Sequence, residues 1–316
     1  MDNFIFLFYD GFGIGSAGNP DNPFAHVHNI FPQDIPCGMQ KSVAFNGMCK
    51  AVDASLGVPG LPQSATGQSS LFSGKNTPSR FGGHLAAFPD KKLRAFVFKN
   101  NILKYFQERQ LRSVFFNAYP LGSRILNDKK MFGLNPDGSF IGEKADDLSH
   151  KISVTTVMAL SIQQEFTGLE QICAGNTVYQ DITNEQLLAK SPNIPVRSAA
   201  QSGKIIAQGA KNTDLLLFEF FHSDMAGHHR NMNECTKDIS LLSEFTETIV
   251  SLSDLSRTTI IVSSDHGNIE DLRTGLHTEN PVPLIVWGKH RDRIITADSI
   301  AEITPAVMSS VGNSSE

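Results

Sequence analysis

The stretch 258–288, TTIIVSSDHGNIEDLRTGLHTENPVPLIVWG, constrains the chain more than any other. TTIIVSS is a short β-branched run of the kind that forms a buried strand. Asp265 and His266 stand where that run ends, and Gly267-Asn268 is a turn signal. His277 follows in the same loop, and Pro281-Val282-Pro283 leads into a second apolar run, LIVWG. Open α/β sheets bind their ligands at the carboxyl ends of strands. Asp265, His266 and His277 would then meet at one edge, where a carboxylate and two imidazoles can share a metal. A capped strand end with a surface histidine is the alternative reading of this stretch taken in isolation.

Two further runs end in the same way. Residues 4–9 are apolar and deliver Asp10 into Gly11-Phe12-Gly13-Ile14-Gly15, a turn whose glycines let the backbone bend tightly. The spacing is not that of a dinucleotide loop, and an aspartate there would repel a pyrophosphate; a metal ligand or a turn cap suits Asp10. DLLLFEF at 214–220 runs into HSDMAGHHR, where Asp224 and His228 are one helical turn apart and share a side. His222 and His229 flank them without such a relation. Between these runs, GLPQSATGQSSLFSGKN at 60–76 opens a helix behind Pro62. Ser64 at such a helix start is either an N-cap or a nucleophile activated by a metal ion, in a place where the helix dipole favours an anion.

The rest of the chain supplies the frame. An expected short helix lies near 44–51, helical periodicity runs over 91–110, and RSVFFNA at 112–118 reads as a strand. Helices are expected over 149–165, 196–212 and 232–253, and a last strand-plus-helix segment after Trp287. Strand and helix alternate, which predicts an α/β fold: a three-layer α/β/α sandwich on a largely parallel sheet. From 119 to 197 turn residues and charges rise, so this segment is expected to be a small inserted α+β cap on a core formed by 1–118 and 198–316.

Composition narrows the partners. With 40% apolar and 19% charged residues the chain is globular, and a formal charge of −5 speaks against nucleic acid as the main partner. The four cysteines, Cys37, Cys49, Cys173 and Cys235, are scattered without a CxxC. The chain enters FIFLFYD directly and holds no apolar run of transmembrane length, so a cytoplasmic protein without a membrane partner is expected.

Asp10, Asp224, Asp265, His228, His266, His277 and the Ser64 hydroxyl suit two divalent cations of the zinc or manganese kind. Two such ions carry four positive charges, and three carboxylates with a serine alkoxide carry four negative ones. A site so balanced can ionise a serine and accept an anionic phosphoryl group.

These residues resemble the alkaline phosphatase superfamily, in particular its branch containing cofactor-independent phosphoglycerate mutase and phosphopentomutase. The likeness rests on Asp10-Gly11, Ser64-x-x-Gly67, Asp224-Met225-Ala226-Gly227-His228, Asp265-His266-Gly267-Asn268 and His277-Thr278-x-Asn280-Pro281-Val282-Pro283, in the family's order. It covers roughly 1–75 and 198–311. The resemblance implies one metal on Asp224, His228 and His277, and another on Asp10, Asp265 and His266. It implies that Ser64 bridges them and attacks phosphorus to form a phosphoserine, with Thr66 as the rival nucleophile. Two departures bear on the outcome: the mutases follow the glycine with a histidine where this chain has Gln68, and the insertion is shorter, without recognisable clamping arginines.

The expected activity is therefore a phosphomonoester hydrolase or phosphotransferase acting on a small phosphorylated substrate. An intramolecular phosphomutase is the alternative, and a metal-stabilised binding protein the third reading. Arg80, Arg124, Arg197 and Lys204 are candidate cations for the substrate phosphate, and His84 a candidate substrate contact.

Overall fold

The computed structural model describes residues 2–312. Its strands are β1 (Asn3–Tyr9), β2 (Gln40–Val43), β3 (Gly47–Val52), β4 (Ser113–Phe115), β5 (Gly133–Leu134), β6 (Phe140–Ile141), β7 (Leu215–Phe220), β8 (Thr258–Ser263) and β9 (Val282–Gly288). Seven of them form one sheet in the order β2-β3-β9-β8-β1-β7-β4, and β5 pairs with β6 in a separate hairpin. The pairs β4–β7, β7–β1 and β1–β8 are parallel, whereas β8–β9, β9–β3 and β3–β2 are antiparallel. Only β9 and β2 thus run against the others, and the parallel half carries the motifs.

The two-residue alternation of β1 builds both core layers. Phe4, Phe6 and Phe8 point into one layer, with Leu71 and Phe72 of the helix Ser64–Ser73 and Ile303 and Val307 of the helix Ile300–Ser310. Ile5, Leu7 and Tyr9 point into the other, with Ile206 of the helix Ala199–Ala210 and Leu242, Phe245 and Ile249 of the helix Met232–Leu252. Each such side chain is fully buried, worth roughly 1.5–3 kcal/mol. Helices therefore cover both faces of the sheet, the three-layer α/β/α sandwich expected.

Three local readings change. Residues 47–52 form β3 instead of a helix. Phe45 and Asn46, both at φ 57°, make a left-handed two-residue turn that folds 40–52 into a hairpin, and β3 then pairs with β9. The periodic run 91–110 is two helices, Lys91–Lys99 and Ile102–Glu108, because Asn101 caps the second with its side chain. After Trp287 there are helices at Arg291–Ile294 and Ile300–Ser310 and, in place of a strand, a single bridge between Asp53 and Ser299.

Within 119–197, the helix Val154–Ser161 sends Val154, Val157 and Met158 into the first core layer, while Ile172, Leu187 and Ile194 form a small cluster of their own. All four cysteines are free thiols. Among the described residues no helix is long and apolar enough to cross a membrane.

Candidate metal centre

Three adjacent parallel strands bring the motifs together. Asp10 follows β1, Asp265 and His266 follow β8, and β7 feeds the helix His222–His229, which places Asp224 and His228 on one turn. The loop from β8 to β9 returns His277 over them. Two clusters result, Asp224–His228–His277 and Asp10–Asp265–His266, each with its candidate ligand atoms within 4.8 Å of one another. His266 and His277 stack at 3.6 Å between ring centroids, so the clusters adjoin. Ser64, the first residue of its helix, places Oγ 3.0 Å from His266 Nε2.

Glycines allow the close approach. A Cβ on Gly67 would sit 2.8 Å from the Asp265 carbonyl oxygen, so the serine helix can abut the β8 end only with glycine three residues after Ser64. Gly11, at φ 65°, turns the chain under Asp224 in the left-handed region that glycine adopts without penalty.

The donor set fits cations. Asp10 Oδ1 and Asp265 Oδ2 are buried without a hydrogen-bond partner, an arrangement that costs free energy unless a cation meets them. His228 Nδ1 faces the Gly275 carbonyl at 2.7 Å, and His277 Nδ1 faces that of Pro62 at 2.7 Å. A carbonyl only accepts, so both rings carry a proton on Nδ1 and turn Nε2 inward, where the two Nε2 atoms lie 3.3 Å apart. In the metal-free protein the hydrogen bond to Asp224 raises His228 to about 9 and keeps a second proton on its Nε2, which a metal would displace. Asn268 Nδ2 donates to Asp224 Oδ1 at 2.7 Å, and Gln68 Nε2 to Asp10 Oδ2 at 3.2 Å. Gln68 thus orients a carboxylate where the mutases carry histidine.

Without cations the charges are in conflict. Burial, and then the charge of Asp224, pushes the Asp265 carboxyl up to about 8. Asp10 is raised by burial and by Asp265. Burial would raise Asp224 too, but the His228 hydrogen bond and the charges of His266 and His277 outweigh it and hold Asp224 near 2. Burial and neighbouring His277 drop His266 to about 3, so its ring is neutral, the state a metal ligand needs.

Glu270 is a residue that motif reading passed over. Fully buried, it accepts from the Gly13 N–H at 3.1 Å and the Asn268 N–H at 2.8 Å on Oε2. Its Oε1 accepts from Thr278 Oγ1 and, at 3.0 Å, from Asn280 Nδ2. One carboxylate thereby joins the loop that carries Asp10 to both ends of the β8–β9 loop, beside Asp265–His266 and beside His277. Glu219, also buried, lies near the end of β7 and accepts from Thr155 Oγ1 at 2.6 Å; burial pushes it up to about 7.

A cavity of about 360 Å³ opens over Asp10, Ser64 and Asp224. Lys151 is its one lysine or arginine. None of the five substrate candidates lines it. The Arg80 guanidinium lies over the Phe96 ring at 5.1 Å, Arg197 donates to the carbonyls of Ile172 and Thr177, and His84 Nε2 meets the Val58 carbonyl at 3.1 Å. Arg124 and Lys204 are exposed on their helices. His222 and His229 stand outside both clusters, against Gln186 and Glu234.

A family model described as the metalloenzyme superfamily matches residues 147–314. The 2,3-bisphosphoglycerate-independent phosphoglycerate mutase of Desulforudis audaxviator is 24% identical over 151 residues, 44% of this chain and 30% of that protein. Its namesake from Salmonella paratyphi B is 27% identical over 204 residues, 62% of this chain and 37% of that protein. The chain therefore matches well under half the length of these curated relatives. Among solved structures, one from Pyrococcus horikoshii superposes with a TM-score of 0.54 at 13% identity, covering 100% of this chain and 98% of that one. A cold-active alkaline phosphatase from Shewanella sp. gives 0.53 at 11% identity, covering 98% and 100%. At these identities the likeness is one of fold.

Proposed function

The chain belongs to the metalloenzyme superfamily, and we propose that it is a two-metal phosphomonoester hydrolase or phosphotransferase working through a phosphoserine on Ser64. The observation that carries this reading is the meeting of the Ser64 hydroxyl with two three-residue donor clusters at one strand edge. Zinc or manganese, held by Asp224, His228 and His277 and by Asp10, Asp265 and His266, would lower the serine pKa and neutralise phosphoryl oxygens. The chain's own residues do the rest. The start of the Ser64–Ser73 helix turns its positive dipole end toward an incoming phosphoryl group. Ser64 Oγ attacks phosphorus as the bond to the ester oxygen breaks, and that oxygen leaves with a proton drawn from solvent. Water then attacks the phosphoserine, phosphate departs, and Ser64 recovers its proton.

Hydrolysis is favoured over mutase action because no arginine lines the cavity to retain a released product while the phosphoryl group returns to it. The curated relatives' names favour an intramolecular mutase as the second reading. The test is phosphate release from p-nitrophenyl phosphate by metal-stripped protein refilled with zinc or manganese. Release should depend on metal and fall by roughly 10³-fold or more in Ser64→Ala, while Thr66→Ala keeps a phosphoryl adduct detectable by mass spectrometry. Two bound metals with no turnover of any phosphoester would support a binding protein instead.

A further inference from the structure

The cavity above Ser64 has a wall that phosphoryl transfer itself does not require. Among the described residues nine large apolar side chains are exposed, and two of them, Phe88 at 43% and Met225 at 46%, line this one cavity, with Phe221 beside them. Ala87, next to Phe88 and also at the cavity, has φ 54°, a left-handed backbone that costs a non-glycine residue free energy. An exposed ring, a half-buried one and an exposed polarisable thioether beside a reactive serine make a surface for a flat apolar group.

Charge points the same way. With two divalent ions the ligands and the Ser64 alkoxide balance, so a bound phosphate dianion leaves the site negative. Lys151 is the cation placed to offset it: among the described residues it is in no ion pair, and its acidic neighbour Asp147 is already bound to Lys144 at 2.9 Å. One lysine offsets part of one dianion. It leaves nothing for a second anionic group such as a carboxylate on the leaving group.

Resting on the phosphoryl-transfer reading above, we infer that the cavity is a leaving-group subsite that selects phosphomonoesters of flat, apolar alcohols. Phe88 and Met225 pack on the leaving group, and Lys151 sits by the phosphoryl oxygens. In the transfer, the ester P–O bond breaks, Ser64 Oγ takes the phosphoryl group, and the apolar alcohol leaves carrying one proton from solvent.

The test pairs benzyl phosphate with glycerol 1-phosphate. Both release an alkoxide, so their difference reports the subsite more than leaving-group acidity. The zinc- or manganese-loaded enzyme should prefer the benzyl ester in kcat/KM by about tenfold or more. Phe88→Ala should erase that preference chiefly through KM, Phe88→Tyr should restore it, and Lys151→Ala should weaken both esters alike. Equal kcat/KM for the two esters, or a Phe88→Ala loss shared by both, would overturn the subsite while leaving phosphoryl transfer standing. If neither ester turns over, the hydrolase reading is judged by p-nitrophenyl phosphate as above, and the subsite by equilibrium binding to metal-loaded Ser64→Ala. Benzylphosphonate binding tighter than methylphosphonate, and weakened by Phe88→Ala, would support it; equal binding would overturn it.

Discussion

Glu270 shows how much of this site rests on a residue that would touch neither metal nor substrate. Its four accepted hydrogen bonds reach Gly13, Asn268, Thr278 and Asn280, and through them the loop after β1 and both ends of the β8–β9 loop. Truncating it to alanine leaves buried donors unmet, each worth about 1–3 kcal/mol. It also frees the loops that set the two clusters relative to each other. Glu270→Ala should therefore lower zinc affinity by about 10–100-fold, the range seen for residues that orient metal ligands. Glu270→Gln, which keeps the shape and one carbonyl acceptor, should recover part of it. Competition with a fluorescent zinc chelator measures this directly, and unchanged affinity in Glu270→Ala would remove Glu270 from the site's support. The residues that meet in the two clusters were legible because each motif couples a chemical residue type to a strand end. Glu270 was not, since an isolated glutamate in a loop has no spacing rule, and its partners lie up to 257 residues away. The same holds for Lys151, whose place at the cavity depends on how 119–197 folds back over the core.

At the scale of elements, strands and long helices were legible wherever burial imposed a period. β1, β7 and β8 emerged from apolar runs, and the helix Met232–Leu252 from an expected stripe of Leu241, Leu242, Phe245, Ile249 and Leu252. Of these, Leu241 is half-buried and Leu252, in the helix's last turn, is exposed. Residues 44–51 misled because a half-exposed edge hairpin has no apolar run, and its turn uses Phe45-Asn46 in place of the usual glycine pair. The long helix also carries a half-buried acid. Asp238 looks onto a cavity of about 320 Å³ that Asp181, Glu234 and Lys237 also line. Burial pushes it up to about 7, Lys237 pulling it down and Glu234 adding to the rise. At low pH Asp238 is protonated both folded and unfolded and contributes nothing. As pH rises above about 4 the unfolded chain ionises first, so stability falls until the folded group ionises near 7, and the penalty is constant above that. Each unit of displacement is worth about 1.4 kcal/mol. Asp238→Asn should accordingly raise Tm at pH 8 and leave it little changed at pH 4. A gain of equal size at both pH values would show that the charge is not what costs stability there.

Across the whole molecule, the two clusters act on folding in different ways. Asp10, Asp265 and His266 join the neighbouring strands β1 and β8, already paired along their length. Asp224, His228 and His277 join the helix after β7 to the loop before β9, elements that the sheet order separates by β1 and β8. A cation in the second cluster therefore ties parts of the sheet that no ladder connects. Metal that binds only the folded chain stabilises it by about 2.7 kcal/mol per site at a free concentration a hundredfold above Kd. Stripping the metals should lower Tm by several degrees, and refilling should restore it. The charge conflict at the centre allows a sharper test through Asp265, whose Oδ2 is buried without a hydrogen bond. In the stripped protein burial and Asp224 push the Asp265 carboxyl up to about 8, so at neutral pH folding must protonate it. Asp265→Asn puts a neutral amide there instead, so its Tm should equal or exceed the parent's. On refilling, the same variant should lose much of the parent's gain, because Asn is a poorer ligand and one cluster is broken. Opposite signs in the stripped and refilled states mean that folding bears the cost of holding the site ready and that the metals return it. A variant less stable in both states by the same amount would mean that Asp265 serves packing, and that the cluster around it is not a metal site.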